Sequence, residues 1–354
     1  MQSLSYWPPL PLRSGVIHTI FTAYGQRWEC LYPWRPQTSH IFQGAEGVPL
    51  YGEGYRVGPA RGTVIATYGI TGDLQNQWYL HTLAHWAIAR RFEVVLFDWR
   101  AHGRSAALSP VLTSDGLYEG QDFVAIARQC QALGYTPPYW LVGYSLGGQL
   151  ALWGTWYAQQ QGATDIGGAA VICPNLDSNR SLAHLGTTFW GRQFERAISR
   201  QLQRWAYRLH RLHPDLFDLK TIAQIDTIAG FDAALVIDRL GFASVADYYA
   251  ASSPLPLLLQ LRLPTWILYA ADDPLYAPAL VPELLAIAQN NPALTLLMTE
   301  QGGHVGFTSD RQCQRLWGDP DYCWGIHRLL DWLEEQTETT GRINEGGTRI
   351  RTGE

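Results

Sequence analysis

The sequence predicts an α/β protein with a mostly parallel central sheet and helices on both faces of that sheet. Short apolar runs of strand type alternate with segments of helical periodicity from Thr63 to about Trp332. The strand runs are apolar at nearly every position, which is typical of parallel strands buried between two layers of helices. Glycine and aspartate cluster directly after several of these runs, where the connecting loops are expected.

The first 35 residues are predicted to form an N-terminal arm that packs on the main domain. This stretch is rich in aromatic residues and prolines, and it contains His18 among aliphatic neighbours. A histidine in that setting more often packs than catalyses, so we assign it a packing role. Ser39 to Phe42 and Pro49 to Tyr55 predict an antiparallel strand pair with glycines in the turn.

The main alternation follows in order. Val64 to Tyr68 and Val94 to Phe97 are predicted strands, separated by a helix that carries Trp78 and Ala87. Later strands are predicted around residues 140–142, 169–173, 264–270 and 294–298. Helices are predicted around residues 122–133, 146–160 and 281–288, and a final helix carries residues 326–332.

Two segments depart from this alternation. Residues from about 175 to 249 contain helical patterns without a convincing strand, and this length is too great for a simple connection. We therefore predict a helical lid insertion over one edge of the sheet. Residues 337–354 are polar and glycine-rich, which predicts a disordered tail. The prediction is a single domain over residues 1–336, including the arm and the insertion.

The overall composition excludes several classes of protein. Of the 354 residues, 47% are apolar and 16% are charged, and the net charge of -5 argues against a nucleic-acid-binding surface. The five cysteines are scattered without the spacing of a zinc site or a disulfide framework. Pro8, Pro9 and Pro11 interrupt any signal-peptide pattern, and no apolar run is long enough to span a bilayer. We therefore expect a cytoplasmic protein.

The sequence Gly143-Tyr144-Ser145-Leu146-Gly147 joins a predicted strand to a predicted helix. A sharp turn at this point needs small residues two positions before and after the serine. It would hold the Ser145 hydroxyl above the sheet edge, at a helix N-terminus that favours negative charge. The pattern in this context predicts a nucleophile elbow.

Asp273 and His304 also lie in loops directly after predicted strands, at the edge where open α/β sheets bind ligands. A serine hydroxyl needs a nearby base, and a carboxylate has to orient that base. We therefore predict Ser145 as nucleophile, His304 as base and Asp273 as the orienting acid. Asp272 remains an alternative acid; we prefer Asp273 because it lies farther out of the strand. His102 is the only other histidine in a loop at this edge.

Acyl transfer also requires N–H donors that stabilise the developing oxyanion. These donors usually come from the residue after the nucleophile and from the loop after an earlier strand. Leu146 follows Ser145 directly, and Ile70 follows Tyr68-Gly69 in the loop after the first predicted parallel strand. We predict the backbone N–H groups of Ile70 and Leu146 as the oxyanion hole.

These motifs resemble the α/β-hydrolase superfamily, and more narrowly its YheT-like group of abhydrolase-domain proteins. The resemblance covers about Leu12 to Trp332. Its marks are the segments 12–15, 18–20, 69–73, 100–105, 143–148, 247–249, 252–253, 271–274 and 302–307. It implies serine-hydrolase chemistry on carboxylic esters of lipid or acyl type, without a metal or an organic cofactor, and it gives His102 a structural part in its loop. Tyr68, Ala101 and Gln149 depart from the residues that are usual in the group.

The function expected from the sequence is therefore an esterase that acts through an acyl-enzyme on a small apolar ester. Its pocket is expected between the sheet edge and the insertion. Trp153, Trp190, Trp205 and Tyr248 are the candidates for its lining, although an aromatic residue in such a fold more often lies in the core. An acyltransferase with the same three side chains is one alternative. A non-catalytic binding protein on the same fold is another, although the three side chains are intact. Peripheral membrane contact through the arm is a further alternative for an enzyme that acts on lipids, although no strongly amphipathic segment supports it.

Overall fold

The computed structural model describes residues 5–24 and 32–346. The strands are β1 (Thr38–Gln43), β2 (Pro49–Tyr55), β3 (Thr63–Thr67), β4 (Glu93–Phe97), β5 (Tyr139–Tyr144), β6 (Ile166–Ile172), β7 (Thr265–Ala270) and β8 (Leu294–Thr299). They form one eight-stranded sheet in the order β1-β2-β4-β3-β5-β6-β7-β8. The pairs from β4 to β8 are parallel, whereas β1 and β2 add an antiparallel edge. The predicted antiparallel pair and the parallel sheet are thus confirmed.

Helices cover the sheet on both faces. Those of the main domain are α1 (Gly15–Tyr24), α2 (Trp78–Ala89), α3 (Ser105–Leu108), α4 (Glu119–Ala132) and α5 (Leu146–Gln160). Near the C-terminus follow α12 (Leu280–Asn290), α13 (Arg311–Trp317) and α14 (Trp324–Gly346). Helices α4 and α5 pack on each other, and α2 packs on α14. Every residue of β3, β4, β5 and β7 is buried, as the continuous apolar runs of the sequence require.

The segment after β6 consists of helices. They are α6 (Ser178–Thr187), α7 (Phe189–Leu212), α8 (Leu219–Ala223), α9 (Ile228–Leu235), α10 (Ile237–Leu240) and α11 (Val245–Ser252). Side chains of α7, α8, α9 and α11 form a second apolar core, separate from the core of the sheet. We call α6 to α11 the lid. It stands where the sequence predicts the helical insertion.

The two chain ends differ in part from the predictions. Within the predicted arm, residues 15–24 form α1, and residues 25–31 lie outside the described part of the chain. The predicted tail begins at residue 337, but α14 continues to Gly346, so residues 337–346 are helical. Residues 347–354 lie outside the described residues. None of the described helices combines the length and the apolarity that crossing a membrane would need.

A buried ion pair fixes the loop after β4 beside the active edge. Arg100 donates to both carboxylate oxygens of Asp122 on α4, at 2.8 and 2.9 Å, and also to the carbonyl of Ala45. Both side chains are almost fully buried. The geometry is bidentate, which holds a guanidinium in one orientation. This contact therefore positions the following residues of the loop, including His102.

Candidate active site

Ser145 lies at the turn between β5 and α5, as the sequence predicts. Its backbone has φ 55° and ψ -123°, a conformation that L-residues rarely adopt. The turn is closed so tightly that a Cβ on Gly143 would collide with the Gly147 carbonyl, and one on Gly147 with the Tyr68 carbonyl. Glycine is therefore required on both sides of the serine. The Ser145 residue itself remains partly exposed.

His304 forms a hydrogen bond to Asp273. The distance from Nδ1 of His304 to Oδ2 of Asp273 is 2.7 Å. The carboxylate is buried, whereas 11% of the imidazole side chain is exposed. Because a carboxylate oxygen accepts, Nδ1 carries a proton and Nε2 is left for another partner. The structure pairs His304 with Asp273 and not with Asp272.

Asp272 binds the same loop in a different way. Its Oδ1 accepts a hydrogen bond from the backbone N–H of Gly303 at 2.9 Å. Burial is the main cause that raises the pKa of Asp272, the Gly303 N–H counteracts it, and the charge of Asp273 raises it further. Asp272 thus supports the backbone beside His304, while Asp273 contacts the ring.

Helix α1 also supports the His304 loop. Thr19 Oγ1 accepts a hydrogen bond from the backbone N–H of His304 at 2.9 Å, and it donates to the carbonyl of Gly15. His18 is fully buried, and its Nε2 accepts from the N–H of Thr308. Burial lowers the pKa of His18 to about 4, so the ring is neutral at pH 7. The predicted packing role of His18 agrees with this position.

Two cavities meet at Ser145. One, the α1 groove, is lined by Thr19, Gly69, Ser145 and His304 among others. The second, the lid cavity, runs from Ser145 between the sheet edge and the lid, with mostly apolar walls from α6, α7 and α9. Ile70 also lines both. In the described part of the chain, Ser145 and His304 are not joined by a hydrogen bond. The distance between a nucleophile and its base is often too great for a hydrogen bond when no substrate is bound.

The predicted oxyanion donors lie next to Ser145. A Cβ on Gly69 would stand 2.8 Å from the Cβ of Ser145 and 3.2 Å from its Oγ, so the backbone that leads into Ile70 abuts the serine. Leu146 is the first residue of α5. Within the described residues, neither the Ile70 nor the Leu146 N–H donates to another protein group.

Tyr276 is a site residue that the sequence did not reveal. Its ring meets the His304 ring edge-on at 5.2 Å, and its hydroxyl donates to the carbonyl of Cys173 at 3.0 Å. Burial, and secondly the charge of Asp273, raise its pKa well above the usual value, against a smaller lowering by the Ser145 hydroxyl. Tyr276 therefore stays protonated between the serine and the imidazole. In the sequence, the feature that could have indicated Tyr276 was its position three residues after Asp273.

The described residues contain one group with metal-ligand character, formed by Cys173, Asp273 and His304 within 4.8 Å of one another. Burial, followed by the charge of Asp273, raises the pKa of the Cys173 thiol well above its usual value. A protonated thiol is a poor metal ligand, and Asp273 already bonds to His304. The donor set therefore suits an imidazole–carboxylate pair better than a metal ion.

Only one of the four aromatic residues expected in the pocket lies there. Trp205 lines the lid cavity, and its Nε1 donates to the carbonyl of Ala101. Trp153 is buried against the carbonyl of Ser252, Trp190 is 47% exposed, and Tyr248 is buried in the lid core. The expectation was wrong for these three, because helical periodicity does not tell a core-facing ring from a cavity-facing one.

Comparison with known proteins gives a consistent result. The sequence pattern of the Alpha/beta hydrolase family matches residues 70–314. A Synechocystis protein named "Putative esterase slr0264" is 48% identical over 94% of this chain and 95% of its own. An Escherichia coli protein named "Putative esterase YheT" is 25% identical over 78% of this chain and 77% of its own. The solved structure of the Pyrococcus furiosus esterase Pf2001 superposes with a TM-score of 0.55 at 17% identity, covering 86% of this chain and 96% of the other, and shows a common fold.

Proposed function

The chain belongs to the alpha/beta hydrolase family and is a hydrolase, and we propose that it cleaves carboxylic esters through Ser145, His304 and Asp273. The observation that carries the proposal is the turn at Ser145. Its unfavourable backbone conformation presents the hydroxyl to the same groove as the His304–Asp273 pair. Strained backbone of this kind persists at functional sites because the surrounding structure holds it in place.

In the proposed reaction, the Ser145 oxygen attacks the ester carbonyl, and Nε2 of His304 takes the hydroxyl proton. Asp273 keeps the other ring nitrogen protonated and stabilises the imidazolium that forms. The N–H groups of Ile70 and Leu146 donate to the oxyanion. The imidazolium then protonates the leaving alcohol, which leaves an acyl group on Ser145. Water then attacks the acyl carbon while His304 takes its proton, and this proton passes to the Ser145 oxygen as the bond to the acyl group breaks, which releases the acid and restores the serine.

The apolar walls of the lid cavity support an acyl or lipid-type ester as the substrate. Side chains such as Leu182, Leu185, Ile198 and Leu202 project from α6 and α7 into this cavity. Burial of an alkyl chain against such walls contributes roughly 0.8 kcal/mol per CH₂ group. We therefore expect kcat/KM to rise with acyl length until the cavity is filled.

The test is labelling with an active-site-directed fluorophosphonate together with hydrolysis of p-nitrophenyl esters of increasing chain length. Ser145→Ala should lose all labelling and at least about 10⁴-fold in kcat. Ser199→Ala is the matched control, since Ser199 is also buried and donates to the carbonyl of Glu195 within α7. Labelling that persists in Ser145→Ala would rule out the assignment. Product analysis with an added alcohol acceptor separates hydrolysis from acyl transfer.

A further inference from the structure

The lid cavity contains two carboxyl groups that the proposed reaction does not use. Asp115, in the loop before α4, and Asp232, on α9, are both buried and both line the cavity. We call them the acidic pair. Burial and, second, the charge of Asp232 raise the pKa of Asp115. Burial also raises the pKa of Asp232, and the bond from the Tyr249 hydroxyl counteracts that effect. The charge of Asp232 therefore acts on Asp115.

The loop that carries Asp115 is held in place by several hydrogen bonds. The carboxylate of Glu119 accepts from the backbone N–H groups of Ser114 and Gly116 and from the Ser114 hydroxyl. The side chain of Gln149 donates to the carbonyl of Asp115 at 2.7 Å. Asp115 has φ 50°, an uncommon conformation for a residue with a side chain. The backbone is thus fixed at a position where Asp115 lines the cavity, and the Thr113 hydroxyl donates to its Oδ1 at 3.3 Å.

Asp232 is held by its neighbours as well. The Tyr249 hydroxyl donates to its Oδ2 in a short hydrogen bond. Among the described residues that line the cavity there is neither lysine nor arginine. A buried carboxylate without a cation is costly, so such groups retain their protons when no partner is present. The cavity therefore lacks the positive charge that would complement the acidic pair.

A third group in the cavity, independent of the acidic pair, has a ring nitrogen whose hydrogen-bonding capacity is unused. His102 is 2% exposed and lies stacked between the rings of Trp99 and Trp205. Its Nδ1 bonds to the carbonyl of Arg100 at 2.9 Å and so carries the proton, which leaves Nε2 as an acceptor. This Nε2 is buried and has no hydrogen-bond partner among the residues that the structure describes, although His102 lines the cavity. Buried acceptors of this kind are usually satisfied, so the site is suited to a ligand that donates.

We propose that the lid cavity binds esters that carry a protonated amine away from the scissile bond, with the ammonium group held by Asp115 and Asp232 and with His102 as an additional acceptor. The inference rests on the proposed esterase function, because Ser145 lines the same cavity. An ammonium group supplies both the missing positive charge and three N–H donors. A carboxylate at the same place would supply no donor and would bring one more buried charge without a cation to pair with. A hydroxyl would supply a donor without the charge.

The experiment compares p-nitrophenyl esters of equal length that end in a methyl, hydroxymethyl, aminomethyl or carboxyl group. We expect kcat/KM for the ammonium ester to exceed that of the methyl ester by about tenfold or more, and the carboxylate ester to be the poorest, since charge-assisted hydrogen bonds are roughly twice as strong as neutral ones. Asp232→Asn and Asp115→Asn should each reduce the ammonium-to-methyl ratio by about tenfold. Asp226→Asn, at an exposed lid residue outside the cavity, should keep the ratio. A ratio of one or less, a preference for the hydroxyl ester, or a ratio unchanged in both cavity variants would overturn the proposal.

A binding measurement separates this proposal from the esterase function. n-Hexylammonium should raise the melting temperature of both the wild type and Ser145→Ala, whereas hexanol and hexanoate should raise it less or not at all. Asp232→Asn should abolish the ammonium effect. If the fluorophosphonate still labels Ser145→Ala but hexylammonium binds as expected, the esterase assignment fails and the amine site stands. If labelling is lost as expected but hexylammonium does not bind, the amine site fails alone.

Discussion

Asp272 and Asp273 are adjacent in the chain but bond to different atoms of the His304 loop. Asp273 Oδ2 accepts from the imidazole of His304 at 2.7 Å, and Asp272 Oδ1 accepts from the backbone N–H of Gly303 at 2.9 Å. One carboxylate therefore sets the orientation and tautomer of the ring, while the other fixes the backbone that carries it. The two residues should have separable effects on catalysis.

Asp273→Asn should reduce kcat by about 10³–10⁴-fold, since an amide at this position favours the wrong imidazole tautomer. Asp272→Asn is the matched variant, because the amide oxygen can still accept from the Gly303 N–H. We expect it to lose about tenfold or less. Steady-state kinetics on a p-nitrophenyl ester measure both effects. Equal losses in the two variants would contradict the separate roles.

The contact between α1 and the His304 loop predicts that Thr19 affects the rate, although Thr19 takes no part in the proposed reaction. Thr19→Val keeps the shape but removes the oxygen that accepts from the His304 N–H. We expect kcat/KM to fall about tenfold through misplacement of the ring. Thr22→Val is the control, since the Thr22 hydroxyl donates to the carbonyl of His18 within α1. If both variants behave alike, α1 does not position His304.

The loop that carries Gly69 and Ile70 has little free space beside Ser145. In Gly69→Ala the new Cβ would lie 2.8 Å from the Cβ of Ser145, so either the loop or the serine has to move. A shift of about 1 Å can reduce the rate about 10²-fold, and we expect this loss mainly in kcat. Gly186→Ala, whose Cβ would meet open space, is the control. A fully active Gly69→Ala would show that this loop does not bear on the reaction.

Because His102 is buried, the stability of the wild type relative to a His102→Phe variant should depend on pH. Burial lowers its pKa from 6.5 to about 4, so the unfolded chain binds this proton first as the pH falls. The wild type should therefore lose up to about 3 kcal/mol of unfolding free energy from this group between pH 6.5 and about 4. His102→Phe lacks this dependence. Urea unfolding of both proteins over this range should show the variant gaining relative to the wild type, and parallel curves would contradict the assignment.

Local patterns in the sequence were sufficient for the fold, and they supplied the three residues of the proposed reaction as predictions. The apolar runs define β3, β4, β5 and β7, because strands that are buried on both faces are apolar at consecutive positions. The glycines around Ser145 define the turn, because its steric demands are local. Asp273 and His304 follow from their positions after β7 and β8.

Only the tertiary structure decided which side chains meet. It paired His304 with Asp273 rather than Asp272, and it brought Tyr276 and α1 against His304. Asp115 and Asp232, more than a hundred residues apart in the chain, came to line one cavity. It also removed Trp153, Trp190 and Tyr248 from the expected pocket. Periodicity and turn chemistry act over a few residues. The direction of a side chain in a cavity depends instead on helices packed from distant parts of the chain, which no local pattern specifies.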